Sequence, residues 1–253
     1  MTATLLPGPS PASEADTARL LVTVRDPHPP LYRPVGFLTR DPAGYGFAYL
    51  EAEVRRHGFR PIVGLPETQP QTSQELFAVF ADRVVSARRP ERAQSLETLG
   101  LDADAGPFEV LTRSSGIRAA DTIELLPAPR AGADGSLSLN FLTHGVRHLL
   151  ANEQARITAL QPHDPLRVQR DSANPANPHA LIVTDTDAVR LGWVPDPLIA
   201  ILDALQGIRA SVVVANGPDV GFHFRLLVNI AGTLRPGEPQ PFTGSEWAIH
   251  EAD

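Results

Sequence analysis

The side chains with chemistry to offer gather between positions 144 and 195. His144, His148, His163 and His179 fall within one short stretch, and imidazole is a common metal ligand. On an extended strand, positions 144, 146 and 148 point the same way, so two imidazoles would face one ion, zinc being the natural candidate. No HExxH occurs, however, and no carboxylate stands at a fixed ligand spacing, so structural or surface roles are expected for these histidines and no cofactor, zinc being unsupported. The second chemistry is anion binding. Arg147, Arg167, Arg170 and Arg190 could line one groove, with His148 and Trp193 as flat surfaces for stacking. The polar turn Asn174-Pro175-Ala176-Asn177-Pro178-His179 adds amide donors and acceptors at Asn174 and Asn177.

Other chemistries fail for want of residues. The chain has 253 residues and no cysteine, which excludes disulfides, thiolate metal sites and a cysteine nucleophile. All 22 basic residues are arginine, so a lysine P-loop, a Schiff base and a Ser-Lys dyad cannot occur. Neither GxSxG nor GxGxxG is present, and Gly44-Tyr45-Gly46 has no third glycine in register. The pairs Asp102 and Asp104, and Asp185 and Asp187, read as solvated turn charges. Net charge is −7, so any surface for a polyanion must be local. No long apolar run and no basic amino-terminal patch point to a membrane span or a signal peptide, and a cytoplasmic protein is expected.

The positioning elements are short, as 25 prolines require. Residues 1–18 read as a disordered leader. From 19 to 126 a mixed strand and helix unit is expected. Its strands lie near Leu20 to Val24, Val35 to Leu38 and Gly46 to Leu50. A helix from Thr72 to Val84 opens on a capping box with Glu75, and two shorter helices are closed by Gly100 and Gly116. Residues 127–136 have a linker's composition. From 137 to 253 the pattern is short strands, with a helix capped by Asp196 and Pro197. The fold class is therefore α+β, a mixed unit followed by a small OB-like β-barrel with a capping helix and a carboxy-terminal extension.

Four motifs in order, Gly145-Val146-Arg147-His148, His163-Asp164-Pro165-Leu166, Asn174 to Ala180 and Gly192-Trp193-Val194-Pro195, resemble those of HIRAN domains. The resemblance implies an OB-like barrel that binds DNA, in its best-understood members by gripping a single-stranded 3′ end. It carries over Arg147 as a phosphate or base contact and His148 as a stacker. Ala176 stands where the family has a stacking aromatic, Asn177 where it has an acid, and His179 where it has asparagine.

The first unit is similar to the amino-terminal subdomain of HipA-type toxins through Val35 to Arg40, Gly46 to Tyr49, Leu76-Phe77, Leu99 to Leu101 and Phe108 to Leu111. That likeness implies a docking module. No kinase core follows. The expectation is a non-catalytic, bacterial-type DNA-binding protein in repair or fork processing, with contacts from Arg147, His148, Arg167, Asn174, Asn177 and Trp193. A protein-interaction regulator is the alternative, and a metal-dependent phosphoester or phosphorus-anhydride hydrolase the weaker one.

Overall fold

The computed structural model describes residues 18–26, 32–118 and 122–251. The expected leader, apart from Ala18, and the loop at Pro27, Pro29 and Pro30 lie outside the described residues. Strands β1 (Ala18–Arg25), β2 (Tyr32–Asp41) and β3 (Gly44–Tyr49) form an antiparallel meander. Asp41 shapes the β2–β3 turn, its Oδ1 accepting the N–H groups of Ala43 at 2.8 Å and Gly44 at 3.1 Å. Helix α1 (Glu51–Val54) and strand β4 (Gln71–Ser73) follow, β4 pairing with β3.

The helix expected from Thr72 to Val84 shrinks to one turn, α2 (Ala78–Ala81). Thr72 sits in the β4 ladder opposite Gly46, and the Ser73 hydroxyl accepts the Glu75 N–H at 3.2 Å. That local bond holds the backbone in a turn where the helix would have begun. Helices α3 (Arg92–Thr98) and α4 (Pro107–Ser114) stand where Gly100, Pro107 and Gly116 place them. Strand β5 (Ile123–Pro127) was not expected. It pairs with β1 and completes a sheet of order β4-β3-β2-β1-β5. Pro127 and Ala128, at the head of the linker-like stretch, are therefore strand and buried core.

Strand β6 (Ser136–Leu142), helix α5 (Ala151–Ala159), strands β7 (Pro165–Arg170), β8 (Leu181–Thr184) and β9 (Arg190–Trp193) come next. Helix α6 (Ile199–Ala204) and strands β10 (Leu205–Ala215) and β11 (Leu226–Leu234) complete the second half. Their sheet, of order β6-β11-β10-β7-β8-β9, curls into a half-barrel. The chain just beyond β6 meets β9 at a single antiparallel bridge, His144 to Trp193, with N–H to carbonyl bonds of 2.8 and 3.0 Å. Gly192 permits that approach, since a Cβ there would lie 2.9 Å from the His144 carbonyl oxygen. Asp196 does not cap a helix as expected. It opens a 3-10 turn, Asp196–Leu198, with no side-chain cap bond.

The first sheet is buried on both faces, which is why β1 carries a continuous apolar run. Leu20, Val22, Leu38 and Phe47 pack with Phe80, Phe108 and Leu111. Leu21, Phe37, Leu50 and Leu126 share the other core with Leu139, Phe141, Val146 and Leu202 of the second half. Each such side chain contributes about 1.5–3 kcal/mol on burial, so the junction between the sheets is a core and not a hinge. A strap, residues 235–251, then returns to the first sheet. Ile249 bridges Leu50, the His250 N–H donates to the Tyr49 carbonyl at 2.9 Å, and Phe242 and Trp247 lie 6.1 and 6.2 Å from the Phe37 ring. Among the described residues no helix is long and apolar enough to cross a membrane.

Candidate functional site

A half-open groove of about 510 Å³ lies where the two sheets meet, within the ~300–1,000 Å³ range of ligand clefts. Arg147, His148, Asn174, Asn177 and Trp193 all border it. Arg167 does not. It is exposed on β7, opposite Thr184. Nor do Arg170 and Arg190 line it, since each is committed elsewhere. Arg170 donates to Asp203 and to the His179 carbonyl, both at 2.6 Å, and Arg190 grips buried Glu153 at 2.6 and 3.2 Å. The expected four-arginine groove thus retains Arg147 alone.

The remaining residues have defined tasks. Val146–His148 is a 3-10 turn and not a strand, so His144 and His148 are not held on one face as a metal would require. His144 instead donates from Nε2 to Glu124 Oε1 at 2.8 Å, and Arg147 Nε donates to His148 Nε2 at 3.0 Å. Among the described residues no group of three or more metal-ligating side chains occurs. Asn174 shapes its turn, its Oδ1 accepting the N–H groups of Ala176 at 3.0 Å and Asn177 at 3.2 Å. Asn177 donates to Asp196 and accepts the His179 N–H, both at 2.8 Å, so its amide is occupied by the fold. Trp193 is a wall of the groove. Its Nε1 donates to Asp171 at 2.8 Å, and Gly145 packs against the indole so closely that a Cβ would come within 2.6 Å of the ring.

Sequence reasoning missed the contribution of the first sheet. Arg25, at the end of β1, and Tyr32, at the start of β2, border the same groove. Tyr32 lies 5.0 Å from the His144 ring, and the Arg25 guanidinium lies 6.0 Å from the Tyr32 centroid. Glu124 of β5, 2% exposed, backs His144, and its Oε2 has no hydrogen-bond partner among the described residues. Phe222, 46% exposed, and His223 stand at the rim on a 3-10 turn, Phe222–Phe224, between β10 and β11. Only Gly221-Phe222-His223-Phe224, an aromatic cluster after the Asn216-Gly217-Pro218 turn, offered a local signal.

The electrostatics follow from this packing. Burial alone would lower the His144 pKa, but the Glu124 charge and hydrogen bond outweigh it and raise the imidazolium above its ordinary value. Burial raises the Tyr32 phenol, Glu124 raises it further, and the Arg25 and Arg147 charges oppose both. His223 is exposed at the rim of the groove. Burial lowers its pKa, Glu124 opposes this, and the His144, Arg147 and Arg25 charges lower it further. Among the described residues no carboxylate pairs with Arg25 or Arg147. The groove thus carries two arginines outside any ion pair among the described residues, one carboxylate, Asp196, and exposed flat rings, in a chain of net charge −7.

No family model matches the chain, and no curated protein does. Solved structures similar to it include a protein from Lactobacillus plantarum, at 20% identity over 39% of this chain and 99% of that one, with a TM-score of 0.31. Another is the HIRAN domain of human HLTF, at 19% identity over 42% of this chain and 84% of that domain, with a TM-score of 0.29.

Proposed function

We propose that the groove binds single-stranded nucleic acid, DNA by the resemblance of the four second-half motifs, and that the protein acts by binding rather than by catalysis. The observation that carries this reading is the meeting on one groove of two guanidinium groups without an ion-pair partner among the described residues, Arg25 and Arg147, with exposed rings at His148 and Phe222. Phosphates sit on guanidinium and bases on flat rings, the combination single-strand binders use. Ala176 supplies no ring, and Asn177 is held by Asp196 and His179. The groove therefore favours the backbone of a strand over its terminal hydroxyl. A role in repair or fork processing, in the cytoplasm, belongs to the same proposal.

Fluorescence anisotropy with single-stranded, blunt and 3′-blocked oligonucleotides tests it. Affinity is expected to fall steeply between about 50 and 200 mM salt. The single strand should bind best, and a 3′ block should change little. Equal, weak binding of all three by the wild type and by Arg147→Ala would end the reading.

A second reading, a protein-docking module in the first half, is favoured by a hollow of about 670 Å³ bordered by Arg60, Arg118 and Val63, the last 91% exposed. It takes precedence if no oligonucleotide binds.

A further inference from the structure

The two guanidinium groups of the groove come from different sheets. Arg25 ends β1, where its N–H donates to the Thr122 carbonyl at 2.8 Å, and Arg147 lies on the 3-10 turn just after the His144 to Trp193 bridge. Backbone pairing thus fixes both positions. Both side chains border the same groove as Tyr32 and His223, so they face one space. Of the carboxylates nearby, Glu124 is balanced by His144, and Asp196, which also borders the groove, is hydrogen-bonded by the neutral Asn177 amide; among the described residues neither pairs with Arg25 or Arg147. Two like charges on one groove repel each other, and an anion bridging them relieves that repulsion.

We propose that Arg25 and Arg147 clamp one phosphate group across the junction of the two sheets, so that the first sheet supplies half of the binding site. This rests on the nucleic-acid reading above, and it goes beyond it by assigning the phosphate contact to two named residues and making the halves one binding unit. The guanidinium fork suits the task, since each can offer a phosphate two parallel N–H groups. His223, held low partly by these same cations, reports on the clamp, because a bound phosphate would offset their charge and raise its pKa.

The test uses the full chain with Arg25→Ala, Arg25→Lys, Arg147→Ala and, as a control outside the groove, Arg167→Ala. Anisotropy with a fluorescent single strand is measured across salt, and melting temperatures confirm folding. Arg25→Ala and Arg147→Ala are each expected to weaken binding about tenfold or more and to reduce the salt slope by about 0.7. Arg25→Lys should recover part of the affinity, and Arg167→Ala should match the wild type. Should Arg25→Ala fail to fold, the lysine variant carries the test, since a charge without a fork must still bind more weakly than the wild type. Wild-type affinity and slope in Arg25→Ala, beside a loss in Arg147→Ala, would overturn the clamp and leave the nucleic-acid reading standing. If the wild type binds no oligonucleotide, that reading falls, and inorganic phosphate followed through the His223 ring protons decides the clamp. A shift that Arg25→Ala abolishes would retain it as a site for free phosphate, and no shift would overturn it.

Discussion

Replacing His144 with phenylalanine keeps a ring beside Tyr32 but takes from buried Glu124 its imidazolium partner. Glu124 is 2% exposed and its Oε1 lies 2.8 Å from His144 Nε2. At an effective dielectric of about 20, opposite charges 4 Å apart attract by about 4 kcal/mol. Removing two ions from water costs several kcal/mol each, so the net worth of such a pair is close to zero. The single substitution is different, because one charge stays buried alone, at a cost of about 3–5 kcal/mol. Adding Glu124→Leu to His144→Phe should therefore restore most of the lost stability. The pH dependence carries a sign. The folded pKa of His144 is raised above 6.5, so its stabilisation is fully present below the unfolded value and fades as pH rises through the folded one. The gap between wild type and His144→Phe should be largest in mild acid and shrink in alkali. Urea unfolding followed by the fluorescence of the two tryptophans, at several pH values, measures all four corners of the cycle. A gap below about 1 kcal/mol in mild acid, or one independent of pH, would refute the claim that this is a buried ion pair.

Gly145→Ala should destabilise the protein by about 1–3 kcal/mol, because residue 145 has φ +73° and its Cβ would meet the Trp193 ring; chemical denaturation checks this, and a perturbed near-UV tryptophan signal should accompany it. The Tyr49 hydroxyl is buried, donating to the Leu65 carbonyl at 2.8 Å and accepting the Ile62 N–H at 2.7 Å. Tyr49→Phe strands both partners, and the expected loss of about 1–3 kcal/mol would be read from the same denaturation midpoints. Burial raises the carboxyl pKa of Glu153, but Arg190 and the Leu150 N–H outweigh it, and Asp185 is likewise held low by the Val189 N–H and Arg156 against burial. Their stabilisation is present above the unfolded values of 4.5 and 3.8 and is lost as pH falls through the lowered folded values. Acid titration of Glu153→Gln should show a deficit against wild type at neutral pH that closes in strong acid.

Short-range signals made much of the fold legible. Leu137 to Leu142 and Leu181 to Thr184 are apolar runs bounded by turns, and Gly100, Pro107 and Gly116 close or open helices by backbone geometry alone. Thr72 to Val84 failed because the Ser73 hydroxyl and the β3 ladder held the segment extended against its helical period. Helix α5 was missed because its N-cap position is Leu150, which has no polar side chain to offer, and β5 because Glu124 and Pro127 disguise a strand whose partner is β1. In the groove, Arg147, His148, Asn174, Asn177 and Trp193 could be gathered from their neighbourhood in sequence, and Asn174 as a turn former with them, but not the bond from Asn177 to Asp196. Arg25, Tyr32 and Glu124 were invisible because only the packing of one sheet on another brings them to His144.

The strap has a kinetic consequence. Arg19 bonds the Pro241 carbonyl, and Glu51 pairs with His250, across separations of 222 and 199 residues. Contacts so distant along the chain must await closure of the long loop between them, which slows folding. Until the strap arrives, Leu50 and Phe37 lack the cover of Ile249, Phe242 and Trp247. An intermediate with the second sheet formed and the strap unseated would offer neighbouring molecules an apolar patch and an unpaired backbone, the two features that drive aggregation during refolding. Yield on refolding should therefore fall with protein concentration, and the seating of a few residues near position 250 sets how long the chain stays at risk.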